Sequence, residues 1–166
     1  MRAMLKGDKS SLCDVAFSPN GRSLVYASYD RSVRIRNIRD GSLQALPVTG
    51  SPKYFVSVVF SPDGRYVAAG NLDSSLWIWE SRTHRLVAKW CGHIRGVWSM
   101  VFTPDGKGLM SGSYDNTVKY WDVNLLGNRQ GVSAGTVVND NDGFPLVRSF
   151  LGHDVCCFLP LCNNVD

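Results

Sequence analysis

The sequence contains no apolar run of 18 residues, and its first residues, MRAMLKGDKSSL, lack the apolar core of a secretory signal. We therefore expect neither a signal peptide nor a membrane-spanning helix. Histidine is scarce, with three in 166 residues, and the five cysteines follow no regular spacing. An odd, irregular cysteine set argues against a disulfide framework, and no Cys/His spacing fits a zinc site. We expect reduced thiols in an intracellular protein that binds no metal or cofactor.

Charge is also sparse. Charged residues make up 19% of the chain, and the net charge is only +4. The Lys and Arg residues are scattered rather than massed, unlike the basic face of a nucleic-acid-binding domain. The hydrophobic content of 44% is that of a globular protein. We expect no direct contact with nucleic acid, a membrane or a small-molecule substrate.

A repeated phrase dominates what the sequence does contain. Phe-Ser/Thr-Pro-Asx-Gly-Arg/Lys occurs three times, beginning at Phe17, Phe60 and Phe102, at spacings of 43 and 42 residues. In each copy Pro presets φ for a turn, and Gly accepts a positive φ. A repeat of about 40–45 residues with four strands is typical of a propeller blade. The sequence therefore predicts an all-β protein made of propeller blades, each with four antiparallel strands.

Short β-rich runs separated by turn residues divide each repeat into strands. The predicted strands are 12–17, 23–28, 33–37 and 43–46 in the first repeat, 56–60, 66–71, 76–79 and 86–91 in the second, and 97–102, 108–113, 117–121 and 146–151 in the third.

The third repeat is longer than the others, because the pair at Gly92–His93 recurs only at Gly152–His153. Its surplus lies in 125–145, a Gly-, Asn- and Asp-rich stretch that predicts an extruded loop. We place the repeats at about 8–50, 51–92 and 93–152, with residues 154–166 off the pattern. Three blades and the start of a fourth cannot close a ring, which needs 4 to 8 blades. We expect residues 1–166 to form an incomplete propeller and interpret the chain as a truncated product.

Gly92–His93 before one strand and Trp121–Asp122 at the end of another resemble the WD-repeat family, and the resemblance covers about 13–153. In that family a His, a strand Ser, a turn Asp and a Trp are hydrogen-bonded into a buried tetrad. The resemblance implies that the tetrad here consists of His93, Ser111 or Ser113, Asp115 and Trp121. A closed network of this kind holds strands in register.

Only the turn aspartate is kept in all three repeats, as Asp30, Asp73 and Asp115. Arg36 replaces the Trp in repeat one, and Gly7–Asp8 and Gly50–Ser51 stand where Gly-His is expected. We therefore expect repeats one and two to lack the complete tetrad and to be less rigidly held.

The combination of His, Ser and Asp also raises the possibility of a catalytic triad. The Ser and Asp recur at structural positions of each repeat, and neither a nucleophile elbow nor an oxyanion element accompanies them. We expect no catalytic residues and no enzymatic activity.

Within the family, the stretch from 58 to 125, above all FTPDGKGLMSGSYDNTVKYWD, resembles the propeller of Tup-type fungal transcriptional corepressors. The resemblance implies a non-catalytic protein-interaction scaffold in the nucleus. Its partners would be transcription factors and chromatin or corepressor subunits. Two alternatives stay open. One is a WD-repeat adaptor in another complex, such as a ubiquitin ligase substrate receptor or a signalling scaffold, and the other is a product without independent function.

The resemblance further implies that partners bind the narrow top face of the propeller. That face is lined by the residue before each turn Asp and by residues around the start of each innermost strand. Carried onto this sequence, they are Tyr29, Leu72 and Tyr114, then Ser11, Tyr54 and Gly96, then Cys13, Val56 and Trp98. The aromatic content fits a binding hot spot. For Cys13, Val56 and Trp98, filling the core between blades remains the alternative.

Overall fold

The structure, a computed structural model, describes residues 10–48, 50–51, 53–126, 137–138 and 146–151. Within them it has thirteen strands, one 3₁₀ turn at Val123–Leu126 and no α-helix. The strands are β1 Leu12–Phe17, β2 Ser23–Ser28, β3 Val33–Asn37, β4 Leu43–Ala45, β5 Phe55–Phe60, β6 Tyr66–Asn71, β7 Ser75–Glu80, β8 Leu86–Cys91, β9 Val97–Phe102, β10 Gly108–Ser113, β11 Thr117–Asp122, β12 Val137–Val138 and β13 Leu146–Leu151. The described residues contain no helix with the length and apolarity that a membrane crossing requires.

The strands form three sheets with the predicted architecture. Blade one has the order β1-β2-β3-β4, blade two β5-β6-β7-β8, and blade three β9-β10-β11-β13, all with antiparallel neighbours. The all-β fold of four-stranded propeller blades is thus confirmed, and three blades are fewer than a closed ring needs. The twelve predicted strands differ from the observed ones only at their ends: β4 stops at Ala45, for example, and β7 extends over Ser75–Glu80. The additional strand β12 was not predicted.

The segment expected to be an extruded loop is only partly described. Its Val137–Val138 forms β12, which pairs in parallel with β8 at the edge of blade two. Residues 127–136 and 139–145 lie outside the described residues, as do the off-pattern residues 154–166.

The repeated phrase builds the turn between the first and second strand of each blade. In blade two, Ser61 Oγ donates to Asp63 Oδ1 at 2.6 Å and accepts from the Tyr66 amide at 2.8 Å. Asp63 Oδ1 also accepts from the Arg65 amide at 2.9 Å, and Gly64 has φ 71°. The turn therefore needs a hydroxyl, a short side-chain acceptor, and a glycine that enters the left-handed region without strain, and the phrase supplies all three.

The core lies between the blades, and β7 in the central blade serves both halves of it. Trp77 and Trp79 pack towards blade one, in a cluster with Phe55. Leu76 and Ile78 point the other way, into a cluster with residues of blade three. Side chains alternate across a strand, so a strand sandwiched between two blades is apolar on both faces. The five residues Ser75–Trp79 are accordingly all buried.

The two junctions between blades are close. Asp14 Oδ2 on β1 accepts from the Val58 amide on β5 at 2.8 Å, which joins blades one and two. At the next junction Gly70 faces Val97, and a Cβ on Gly70 would lie 2.8 Å from Val97 Cγ1.

The outer face of blade one shows how much a neighbouring blade reduces the exposure of the first strand. Val15 is 52% exposed there, whereas Val58, its counterpart one repeat later, is 1% exposed because blade one covers it. The apolar pattern of the first strand is thus the same in both blades, and only the neighbour differs.

The buried network and the candidate partner-binding face

A chain of hydrogen bonds crosses blade three from the outer-strand side to the turn. His93 precedes β9, Ser111 lies on β10 and Trp121 on β11. The Trp121 indole N–H donates to Ser111 Oγ at 2.8 Å, and Ser111 Oγ lies 2.7 Å from His93 Nε2. His93 Nδ1 in turn lies 2.7 Å from Asp115 Oδ2 in the β10–β11 turn. The structure thus joins four of the five candidate side chains, and of the two candidate serines it is Ser111 that takes part.

The pKa shifts indicate the charges of His93 and Asp115, and the hydrogen-bond partners of His93 then assign its proton to one ring nitrogen. Burial alone would raise the pKa of Asp115, but hydrogen bonds from Thr117 and His93 outweigh it and lower that pKa to about 2. Burial lowers the pKa of His93, and the hydrogen bond with Asp115 offsets this only in part. At neutral pH a neutral imidazole therefore donates from Nδ1–H to an ionised carboxylate and accepts the Ser111 hydroxyl at Nε2. Every donor in this series of four hydrogen-bonded side chains has an acceptor.

Ser113, the other serine considered for the tetrad, is not part of this series of hydrogen bonds. Its Oγ donates to the Arg95 carbonyl at 2.9 Å and accepts from the Asp115 amide at 3.2 Å. The reason is local, since the register between β10 and β9 shifts between Gly112 and Ser113. Ser113 thereby ties the turn to the segment that leads into β9.

The connectivity of Ser111, His93 and Asp115 is that of a catalytic triad, but their surroundings are not. The side chains of His93 and Asp115 are 0% and 3% exposed, and Ser111 is buried beneath the Trp121 indole. A nucleophile that no substrate can reach has no catalytic use. In the part of the chain that the structure describes, no cluster of His, Cys, Asp or Glu could hold a metal ion.

Blade two lacks the tetrad, as expected, but it has a substitute. Ser51 occupies the position of the histidine and accepts from Asn71 Nδ2 at 2.8 Å. Asn71 Oδ1 accepts from the Asp73 amide at 2.9 Å, and Asp73 accepts from the Ser75 hydroxyl. Ser75 Oγ accepts the Trp77 indole N–H at 2.8 Å. Blade two thus lacks the family's tetrad, and a different set of polar side chains spans the same strands; that blade two is less rigidly held stays a prediction.

A second tryptophan of blade two shows how the substitution works. Trp79 stands where blade three has Trp121, but Ala69 replaces the serine that would accept its indole N–H. The Trp79 N–H donates instead to the Pro47 carbonyl at 2.9 Å.

In blade one the turn aspartate serves a simpler purpose. Asp30 accepts from the Ser32 amide at 2.9 Å and forms an ion pair with Arg34 at 3.0 Å. All three turn aspartates thus organise the turn between the second and third strand.

The residues expected on the top face are placed by one recurring backbone bond. The amide of the residue before each turn Asp donates to a carbonyl at the start of the innermost strand. These bonds are Tyr29 to Ser11 at 3.0 Å, Leu72 to Tyr54 at 3.0 Å and Tyr114 to Gly96 at 3.1 Å. Each blade therefore holds its turn residue over the start of its own inner strand, at the same end of the sheet.

Side chains on this end meet across the blade boundary as well as within one blade. Tyr29 of blade one packs edge-on against Tyr54 of blade two, with ring centroids 5.1 Å apart. Tyr114 and Trp98 of blade three lie 4.7 Å apart. The three tyrosines are exposed, while Cys13, Val56 and Trp98 are half-buried. The aromatic rings thus form two pairs on the surface rather than one continuous stripe.

Two basic residues on this face were not among those predicted from the sequence. Lys53 and Arg95 are exposed and line an open depression of about 390 Å³ together with Leu72, Gly96 and Tyr114. Both precede the start of an inner strand and stand 42 residues apart, so they occupy equivalent positions in repeats two and three. The recurrence of a basic residue at this position is the signal from which the sequence could have predicted both residues.

Comparison with known proteins agrees with the repeat structure. The model of the family described as "WD domain, G-beta repeat" matches residues 2–37, 44–80 and 84–122. In solved structures, the structure of U3-55K superposes with a TM-score of 0.75 over 90% of this chain and 42% of that one, at 22% identity. This similarity concerns the fold.

Curated relatives match over part of the chain. Protein SOF1 of Saccharomyces cerevisiae is 32% identical over 79 residues, which is 48% of this chain and 16% of that protein. DDB1- and CUL4-associated factor 13 of Xenopus laevis is 33% identical over 72 residues, 43% of this chain and 16% of that protein. The human intraflagellar transport protein 122 homolog is 35% identical over 85 residues, 49% of this chain and 7% of that protein. The match therefore spans less than a fifth of each relative's length.

Proposed function

The chain belongs to the WD domain, G-beta repeat family, and on that basis we propose that it is a non-catalytic protein-binding module whose partner docks on the top face. One observation carries the proposal. The same backbone hydrogen bond holds Tyr29, Leu72 and Tyr114 at one end of three successive blades. Exposed aromatic side chains held on a rigid scaffold present a large contact area at little entropic cost.

We further propose that the module serves as an adaptor within a larger assembly. One relative is named for association with DDB1 and CUL4, which favours the adaptor among the functions left open by the sequence. The corepressor function has no such support from the relatives reported above. A nuclear location, expected from the resemblance to corepressors, remains part of this proposal and is tested by cell fractionation.

The top-face proposal is tested by comparing two variants in the same capture experiment. Tyr29→Ala combined with Tyr114→Ala removes one ring from each aromatic pair. Arg82→Ala is the matched control, because Arg82 is exposed in the β7–β8 turn at the opposite end of a blade. The tagged protein is captured from cells after mild cross-linking, and partners are quantified by mass spectrometry. The double variant should lose partners that Arg82→Ala retains; loss of the same partners from both would refute docking at the top face.

The identity of the captured proteins decides between the assemblies. Recovery of DDB1 or CUL4 with the unmodified chain, and its loss with the tyrosine variant, supports the adaptor. Recovery of DNA-binding factors and deacetylases instead overturns the adaptor assignment in favour of the corepressor function.

A further inference from the structure

The depression at the junction of blades two and three combines cationic and apolar side chains. It contains two cationic side chains, Lys53 and Arg95, beside the apolar surface of Leu72 and Tyr114. Gly96 also lines it, in close approach to Leu72: a Cβ on Gly96 would come within 2.8 Å of Leu72 Cδ2. A volume of about 390 Å³ lies within the range of small binding sites. The site can hold a side chain or two of a partner rather than a whole domain.

The turn aspartates that follow Leu72 and Tyr114 in sequence already accept hydrogen bonds within their own blades. Asp115 accepts hydrogen bonds from His93, Thr117 and the Ile94 amide. Asp73 is bonded to the Ser75 hydroxyl and to the Ser75 amide, the latter at 3.0 Å. Their carboxylates are therefore held by hydrogen bonds within their own blades, and neither forms an ion pair with Lys53 or Arg95.

The two cations keep their charge available. Among the described residues, Asp30 forms an ion pair with Arg34, Asp115 accepts a hydrogen bond from neutral His93, and neither Lys53 nor Arg95 takes part in an ion pair. Both side chains are exposed at one end of the sheets. Two unneutralised cations beside an apolar patch favour a ligand that brings both negative charge and an apolar group.

We propose that this depression binds an acidic segment of a partner protein, with Asp or Glu carboxylates on Lys53 and Arg95 and an apolar side chain against Leu72 and Tyr114. The inference rests on the proposed function, since it names the chemistry of the partner at the same face. Arg95 is the stronger anchor, because a guanidinium can bind a carboxylate through two parallel hydrogen bonds. Lys53 supplies a second, point-like charge on the rim of the same depression.

The test uses a fluorescein-labelled synthetic peptide with a central Leu between runs of Asp and Glu, and its counterpart with Asn and Gln in their place. Binding to the full chain is measured by fluorescence anisotropy at two salt concentrations. The acidic peptide should bind more tightly than the neutral one and weaken as salt is raised. Arg95→Gln should weaken it about tenfold, the effect of losing one charge-assisted contact, and Lys53→Gln by less. Arg82→Gln, at the far end of the blade, removes the same charge and should leave binding unchanged.

Three results would overturn the inference: equal affinity for the two peptides, an equal loss in Arg82→Gln and Arg95→Gln, or binding that requires a phosphorylated residue. The proposed function fails separately. If the tyrosine variant loses its cellular partners while the acidic peptide does not bind, the top face is a docking surface but its partner is not acidic.

Discussion

Replacing Ser111 with Ala is expected to destabilise blade three far more than replacing Ser113 with Ala. Ser111 Oγ accepts from the Trp121 indole at 2.8 Å and lies 2.7 Å from His93 Nε2. Trp121 and His93 are both buried, so water cannot take over either bond. The substitution therefore leaves one donor and one acceptor buried without a partner.

The magnitude follows from the number of groups left unsatisfied. Each buried polar group without a partner costs about 1–3 kcal/mol, so Ser111→Ala, which leaves two such groups, should lower the free energy of unfolding by about 2–6 kcal/mol. Ser113 Oγ bonds the Arg95 carbonyl and the Asp115 amide beside an exposed turn. Ser113 is itself buried, but these two bonds are only partly buried. Water can therefore reach the groups that lose the hydroxyl, and the expected loss is only about 1 kcal/mol.

The two variants are compared by urea unfolding, followed by tryptophan fluorescence, and by hydrogen exchange of the Trp121 indole N–H in NMR spectra. Ser111→Ala should accelerate that exchange, and Ser113→Ala should leave it protected. Equal losses of stability, or an indole signal equally protected in both variants, would refute the assignment of Ser111 to the network.

Three further predictions concern acid, packing and the second tryptophan. Burial lowers the pKa of His93 below its ordinary 6.5, so the unfolded chain takes up this proton at a higher pH than the folded one. When the pH is lowered from neutrality past about 6.5, the urea midpoint should therefore begin to decrease. His93→Gln should remove this decrease. The pKa of Asp115, about 2 rather than 3.8, adds a second loss of about 2 kcal/mol between those values, absent from Asp115→Asn. Gly70→Ala should lower the unfolding free energy by about 1–3 kcal/mol in calorimetry, because its Cβ would meet Val97; a neutral effect would contradict the close approach of blades two and three. Trp79→Phe should cost more than its lost area alone in the same measurement, since the Pro47 carbonyl loses its donor.

The strands could be predicted from sequence because their information is local. A turn phrase such as Ser61 to Arg65 fixes where two strands meet, and the alternation between turns supplies the rest. The three turn aspartates follow from the same spacing, since each bonds to residues two positions away.

The polar networks could not be predicted to the same depth, because they depend on register. Ser111 and Ser113 stand two residues apart, so strand alternation assigns both to one face, and the shift after Gly112 is invisible in sequence. The bond between Asn71 and Ser51 joins residues 20 positions apart and follows no family motif. Apart from their equivalent repeat positions, the sequence does not distinguish Lys53 and Arg95 from other exposed cations, and only the fold shows that both line the same depression.

The differing networks of blades two and three have a consequence for how such repeats change over time. The backbones are alike, but Ser51, Asn71 and Trp77 cannot be exchanged one at a time for His93, Ser113 and Lys119, their counterparts one repeat later. A single replacement would strand a buried donor or acceptor and cost about 1–3 kcal/mol. Intermediates between the two solutions are therefore less stable than either end point. Copies of an ancestral repeat would therefore diverge by coordinated changes within each blade. A chimera joined in the middle of a blade would combine parts of two hydrogen-bond networks that do not match.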